Sequence, residues 1–490
     1  MGSLLLTSAA LSGRHIALAL LAVFGFFGLL LEHGNLGAQT IFPNISGLLS
    51  TEVNGHRSSV AGSEFWINFA PILAAAAPRC SKPEVTDDVP YFVRAPVPGS
   101  GFSERSVSVL NMEEKDVESM RRSHSWFVDQ INDKAPTLEY EKGTRGIVTS
   151  AGGDYFPTLL VSLSFLRRTG STLQVEVFLS NSEEYEEQMC EEVLPLLNAK
   201  CIILSDKIDE SVLSFEIKHY QLKAFAMLFS SFEDILFLDA DNFPVHPPEP
   251  LFTSEPFSSN RLVLWPDYWT PTFSPFFYTI TGLERNSLED RPTIEAGQVL
   301  VSKKHHAKTL LLAAYYNCYG DYYYRLMTQG GPGEGDKETF SSAALVLKAP
   351  LYTVDQATHP LGDRSGGALL QAHPTDDFES QSDEKVIIRP MFVHASWPPK
   401  LNAMRNIQGQ RQWGSAENAA DKFDGLDIEP VAWGYMVEMA CKEGLEFRDW
   451  GNYNKTGLDV CGQTRRCFND MFGREYAGEE EYSMWWAGRG

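Results

Sequence analysis

The apolar run Ile235-Leu236-Phe237-Leu238 ends in Asp239-Ala240-Asp241. The run is too short for a helix and reads as a buried strand. Side chains alternate along a strand, so the two aspartates can share one side. Two carboxylates at a strand end do little for a core. They suit a divalent cation held beside a diphosphate, because hard cations take oxygen ligands. The rival reading is a strand that runs into an acidic turn, and only the surroundings can separate the two.

The surroundings alternate strand and helix. Gly146–Ser150 reads as a strand opening into Ala151-Gly152-Gly153, followed by helical spacing over Thr158–Arg168. Val175–Leu179 and Cys201–Leu204 read as strands, Glu183–Leu197 as an amphipathic helix with a glutamate-rich outer face, and Ile217–Ser230 as a helix. Such alternation implies a mostly parallel sheet covered by helices. Ligands of these sheets bind beyond the carboxyl ends of the strands, where Asp239, Asp241 and the Ala151-Gly152-Gly153 turn fall. After residue 245 the chain is rich in proline and aromatics, which suits a substrate-binding half laid over a nucleotide half.

In 490 residues there is room for one large catalytic domain with appendages, or for two or three smaller domains. The net charge of −23 argues against nucleic acid as a partner. Ile16–Leu31 carries no charge and follows Arg14. It is short for a plasma-membrane span and tolerable in a thinner bilayer. An uncleaved signal anchor and a cleaved signal peptide both remain open, with small residues at Gly34-Asn35-Leu36-Gly37-Ala38, and the anchor is the expectation here. Either sends the remainder into the secretory lumen, as do the sequons Asn44-Ile45-Ser46 and Asn454-Lys455-Thr456. None of the seven cysteines forms a zinc-type Cys-x-x-Cys pair, and their clustering at 441–467 suggests one or two disulfides there. The expected division is a tail and anchor over 1–34, a stem over 35–142 with some helix in Met112–Asp133, a catalytic domain over 143–475 and an acidic, aromatic tail over 476–490.

Other stretches add candidate chemistry. Thr149, Ala151 and Gly152 sit in a turn of small residues that a base or ribose can approach, although it matches neither a Walker loop nor G-x-G-x-x-G. Tyr220 and Lys223 lie on the helix before the acidic strand; Lys223 can reach a phosphate or an aspartate, or stand as a plain surface lysine. Gly297, in Glu295-Ala296-Gly297-Gln298, allows close backbone approach to a ligand or forms a bulge. Asp336 and Glu338 open an alanine-rich helix, with Asp336 either an N-cap or a partner for a sugar hydroxyl. His394 ends the strand-like run Val386–Val393, and Lys400-Leu401-Asn402 follows. A histidine joining two aspartates makes a mixed oxygen and nitrogen site that manganese accepts, and a lysine close by can balance a diphosphate.

This ordered set, from Gly146–Gly153 through Tyr220–Lys223, Ile235–Asn242, Leu262–Asp267, Glu295–Gln298 and Gly333–Phe340 to Phe392–Asn402, resembles the fungal Golgi α-mannosyltransferases that build and branch N-glycan outer chains. Within them it is most similar to the α-1,2-mannosyltransferases of glycosyltransferase family 71. The resemblance implies a GT-A-type nucleotide-sugar-binding fold, a Rossmann-like mixed sheet flanked by helices. It also implies a GDP-mannose donor, a mannosylated glycoprotein acceptor, and single-pass type II topology in the Golgi membrane. In that reading Mn²⁺ or another divalent cation is held by Asp239, Asp241 and His394. Thr149, Ala151, Gly152, Tyr220, Lys223, Ala240, Gly297 and Lys400 meet the donor, and Asp336, Glu338 and Glu295 stand near the acceptor. The stretch between His394 and Lys400 is longer than the family usually shows.

Three alternatives stay open. One is an α-1,3 linkage made by the same chemistry. Another is a phosphohydrolase of the haloacid-dehalogenase type, although Phe243 stands where that signature expects Thr or Val and the acidic pair does not follow the first strand. The last is an inactive lumenal scaffold that binds glycans.

Overall fold

The computed structural model describes residues 63–86, 108–208, 217, 220–285, 291–362, 367–396, 400–404, 409–415, 422–423 and 425–478. The expected anchor, the sequon at Asn44 and the tail beyond Gly478 lie outside the described residues. Among the described residues no helix is long and apolar enough to cross a membrane.

Two sheets organise the protein. The first is built from β1 (Glu141–Ser150), β2 (Val175–Leu179), β3 (Ala199–Ile203), β4 (Phe232–Leu238), β6 (Leu262–Pro266), β7 (Ile294–Ser302) and β8 (Tyr352–Thr353). The second contains β5 (Asn242–Pro244), β9 (His359–Leu361), β10 (Ala368–Ala372) and β11 (Pro390–His394). Strand order is β8-β6-β7-β4-β1-β2-β3 in the first and β9-β10-β11-β5 in the second. Four pairings of the first sheet are parallel, and β7 runs antiparallel to β4 and to β6. The sheet is therefore mixed, with β7 as one antiparallel strand between the parallel pair β8-β6 and the parallel set β4-β1-β2-β3.

The alternation along β4 explains why the sheet is covered on both faces. Leu236 and Leu238 enter one core with α3 (Phe156–Arg168), while Ile235 and Phe237 enter another with α4 (Gln221–Phe229) and α5 (Lys303–Cys318). A strand buried on both sides reads as a continuous apolar run.

Residues 35–142 were expected to form a stem that holds the domain off the membrane; the described parts pack into the core of the domain. Helix α1 (Glu64–Ala75) buries Phe65, Trp66 and Phe69, with Phe65 edge-on to Phe229 and Trp66 edge-on to Phe225 of α4. Helix α2 (Glu114–Lys134) buries Met120, Phe127 and Ile131 on the same core. The cause is the aromatic face of α1, since fully burying one such side chain contributes about 1.5–3 kcal/mol. That face is diluted in the sequence by alanine and proline neighbours.

The amphipathic helix expected over Glu183–Leu197 is broken into a 3₁₀ turn (Ser182–Glu184), a π-helical stretch (Gln188–Val193) and a final turn (Leu194–Leu196). Its first glutamates serve tertiary contacts: the Ser180 N–H donates to Glu184 Oε2 at 2.8 Å and the Arg448 N–H to Glu186 Oε2 at 2.9 Å. Disulfides join Cys190 to Cys201 and Cys441 to Cys461, so the C-terminal cluster supplies one bridge and leaves Cys467 as a buried thiol. Asn454 of the second sequon is exposed near the end of the helix Arg448–Lys455. Tyr476, expected in the tail, packs edge-on to Phe468 of α7 (Val460–Phe472).

Candidate active site

The chain leaves β4 at Leu238 and enters β5 at Asn242, passing from the first sheet to the second in three residues. Each of those residues is pinned through its backbone. The Asp239 N–H donates to Gly297 O at 2.8 Å, Ser162 Oγ donates to Ala240 O at 2.7 Å, and the Ala395 N–H donates to Asp241 O at 2.9 Å. The aspartates thus sit on rigid backbone, with Asp241 buried and Asp239 partly open.

His394 arrives from β11, which pairs with β5 through His394 opposite Asn242. Its Nε2 lies 3.1 Å from Asp241 Oδ1 and 3.9 Å from Asp239 Oδ2, and its Nδ1 lies 3.0 Å from Glu295 Oε1. Ligand atoms of Asp239, Asp241 and His394 all fall within 4.8 Å of one another. Asp241 Oδ2 is buried and takes no aligned hydrogen bond. Two carboxylates and an imidazole turned by a carboxylate behind it form a donor set that fits a divalent cation.

Gly297 makes this approach possible. A Cβ there would overlap the His394 ring and lie 2.7 Å from Glu295 Oε1. Both roles weighed for this glycine are seen: it lies in the stretch 296–299 where the register of β7 against β6 shifts, and the side chain of His394 packs closely against it.

Two lysines flank the cluster. Lys223 Nζ lies 3.2 Å from Asp239 Oδ1 and 3.0 Å from Asp336 Oδ2, and donates to Ala296 O at 2.6 Å. It is buried, so it is no plain surface lysine. Lys400 Nζ lies 3.0 Å from Asp241 Oδ2 and 5.9 Å from the centre of the Tyr155 ring. Its long connection from His394 does not prevent it from reaching the site.

Burial and charge divide the titrating groups. Burial would raise Asp241, but His394 and Lys400 hold its carboxyl well below the usual range. Burial pushes Asp239 up, and Lys223 and His394 only partly offset this. Burial would lower His394, yet Glu295 and Asp241 hold the imidazole well above its ordinary value. Glu295 is held low by His394 against its own burial. The cluster is a pocket of negative charge that draws positive charge to itself.

Two cavities meet at Tyr220, Lys223, Asp239 and Asp336. The first, about 470 Å³, is walled by Ser150, Ala151, Gly152, Tyr155, Ala240 and Lys400 at the carboxyl ends of the parallel strands. The second, about 390 Å³, is walled by Asp267, Tyr268, Trp269, the loop Pro332–Lys337 and Gly367–Leu369 of the second sheet.

Of the residues singled out from the sequence, Ala151, Gly152, Tyr220, Lys223, Ala240, Lys400, Asp239, Asp241, His394, Gly297, Glu295 and Asp336 converge here. Glu295 stands behind His394 and also accepts the Gly297 N–H at 2.6 Å, so it orients the imidazole. Asp336 is not the N-cap of α6 (Thr339–Val346); its carboxylate faces Lys223. Two residues depart from their expected places. Thr149 is buried in β1 and lines neither cavity. Glu338 is buried against Arg291 Nη2 at 2.8 Å and the Ile294 N–H at 2.8 Å, which makes it a structural anchor. Tyr155, Trp269 and Lys337 line the cavities without any motif to announce them, because loop aromatics and a lysine in a glycine-rich loop carry no periodic signal.

The chain is similar to known mannosyltransferases. The family profile described as mannosyltransferase (Mannosyl_trans3) matches residues 144–293 and 288–369. The chain is 33% identical over 446 residues to the α-1,2-mannosyltransferase MNN21 of Candida albicans, covering 74% of this chain and 67% of that protein. It is 34% identical over 354 residues to the α-1,2-mannosyltransferase MNN2 of Saccharomyces cerevisiae, covering 64% of this chain and 56% of that protein. Among solved structures, the galactosyltransferase LgtC in complex with donor and acceptor sugar analogues is similar at 14% identity and a TM-score of 0.33, covering 53% of this chain and 89% of that one. The protein is a glycosyltransferase. It belongs to the α-1,2-mannosyltransferase family.

Proposed function

We propose that the protein transfers mannose from GDP-mannose to an α-mannoside on a glycoprotein glycan, with α-1,2 linkage and retained configuration. The observation that carries the reading is the Asp239, Asp241 and His394 cluster at the seam of two cavities, with Lys223 and Lys400 beside it. The first cavity takes the nucleotide, since nucleotides bind beyond the carboxyl ends of parallel strands, in a GT-A-type arrangement. A divalent cation held by Asp239, Asp241 and His394, with Mn²⁺ the natural choice for this donor set, would supply Lewis-acid stabilisation of the departing diphosphate. Lys400 and Lys223 place fixed positive charge where that negative charge develops. Glu295 holds His394 in one orientation by hydrogen bonding to Nδ1. Donor and product are both α, so configuration is retained.

The test is a panel of sugar nucleotides offered with Mn²⁺ and mannosyl acceptors, followed by linkage analysis of the product. Transfer from GDP-mannose alone, giving an α-1,2 bond, is the expected result. An α-1,3 product would overturn the linkage. Phosphate release with no sugar transferred would overturn the function and favour a phosphohydrolase.

We further propose that the catalytic part works in the Golgi lumen behind an uncleaved anchor at 16–31. Two disulfides and an exposed sequon asparagine support an oxidising, glycosylating compartment. A reporter fused to residues 1–60 should stay in the membrane pellet after carbonate extraction. A processed, secreted reporter would overturn the anchor.

A further inference from the structure

Resting on the reading above, the first cavity and the cation cluster account for the donor and leave the second cavity without an occupant. Its floor is an aromatic corner. The Thr293 N–H and Thr293 Oγ1 both donate to the Trp269 carbonyl at 2.9 Å, which fixes the peptide that carries the indole. The Tyr268 ring stands edge-on to that indole, at 5.4 Å between centres and 86° between planes. Both rings are half-buried and line the cavity. A fixed aromatic face with polar groups converging around it suits a ligand that has one apolar face and a rim of hydroxyls.

The polar groups around the corner are already charge-balanced. Asp267 Oδ2 accepts from Lys337 Nζ at 2.9 Å, and its Oδ1 accepts the Tyr268 N–H at 2.6 Å. Glu334 Oε1 lies 3.1 Å from Arg325 Nε, and Asp336 Oδ2 lies 3.0 Å from Lys223 Nζ. A carboxylate oxygen has two lone pairs, so each of these can still accept from a sugar hydroxyl. None of the three cations is free of a carboxylate. A phosphate at the aromatic corner would have to draw Lys337 away from Asp267, a pair with both side chains 10% exposed, and leave that carboxylate uncompensated where little water reaches, which is unfavourable.

We infer that the second cavity is the acceptor subsite, that it takes an uncharged mannoside stacked on Trp269, and that it rejects a mannoside bearing phosphate. Trp269 is then a binding residue for the acceptor with no part in holding the donor.

The experiment measures binding and turnover separately. Methyl α-mannoside and methyl α-mannoside 6-phosphate are offered to the full chain with GDP and Mn²⁺, and binding is followed by saturation-transfer NMR, which needs no turnover. The neutral mannoside should bind and the phosphate ester should not. Trp269→Ala should weaken neutral mannoside binding and raise the acceptor KM by about tenfold or more, while GDP affinity and acceptor-free hydrolysis of GDP-mannose stay within about twofold of the parent. Trp269→Phe, which keeps an aromatic face and the packing, should recover most of the loss. Asp267→Asn, which frees Lys337, should narrow the discrimination against the phosphate ester. Parent-like mannoside binding by Trp269→Ala, or equal binding of the two mannosides by the parent, would overturn the inference. Mannoside binding that depends on Trp269 in a protein that transfers nothing would keep the subsite and refute the transferase reading instead.

Discussion

Asp239→Ala and Asp241→Ala are each expected to lower mannosyl transfer by about three orders of magnitude or more, with melting temperature little changed. Ligand atoms of both carboxylates and of His394 lie within 4.8 Å of one another, close enough to share one ion. Groups that hold one ion are not additive, since loss of the first already releases it. The double variant should therefore be scarcely worse than either single one. His394→Ala should be milder at saturating Mn²⁺, because water can take one vacant position on the ion. Its rate should keep rising over metal concentrations that saturate the parent. Calorimetry supplies a second readout: Mn²⁺ binding should vanish in both aspartate variants and weaken in the histidine one. Without the ion, Glu295 and Asp241 keep His394 protonated well above its ordinary range, and a ligating imidazole must give up the Nε2 proton. Apparent Mn²⁺ affinity should therefore fall as pH falls. Full activity of Asp241→Ala in the presence of a chelator would sink the metal reading.

The second large effect is expected from one methyl group. Gly297 lies in β7 opposite the acidic turn, and a Cβ there would run into the His394 ring and crowd Glu295. Gly297 is not among the glycines with positive φ, so Gly297→Ala needs no left-handed backbone and isolates the steric term. The imidazole must move by roughly an ångström, and misplacements of that size cost about 10²-fold in rate. We expect a loss of that order in kcat, together with weaker Mn²⁺ binding. Donor nucleotide affinity measured without metal should be unchanged, because the first cavity is walled by other elements. A fully active Gly297→Ala protein would show that His394 does not work from the position seen here.

The readable part of this architecture was the part governed by short-range pattern. Val175–Leu179 is a strand over the residues expected, and the helix expected at Thr158–Arg168 begins two residues earlier, at Phe156. Asp239 and Asp241 were legible because paired carboxylates at a strand end do little for a core, and His394 because it ends a strand in a chain that already carries that pair. Glu295 and Glu338 were indistinguishable beforehand. Each is an acidic residue beside a small or helical segment, and only the fold reveals that one meets His394 while the other meets Arg291. Thr149 shows the period-two limit: a register shift of a single residue moves a side chain from the cavity rim to the interior. The buried aromatic face of α1 was hidden for another reason. Its partners Phe225 and Phe229 are more than 150 positions away, and no local signal reports a contact at that distance.

The passage of the chain from one sheet to the other within Asp239-Ala240-Asp241 gives any bound ion a second role, as a rivet. Asp239 closes the first sheet, while Asp241 leads into the second, which also carries His394. A slip of one sheet against the other would register first as a change in metal affinity, before any change in substrate contacts. The aromatic corner at Tyr268–Trp269 hangs on the loop after β6, and Gly333–Lys337 precedes α6, so neither belongs to a strand that bears a ligand. With the second cavity as the proposed acceptor subsite, acceptor preference would drift by remodelling those loops while the rivet holds still.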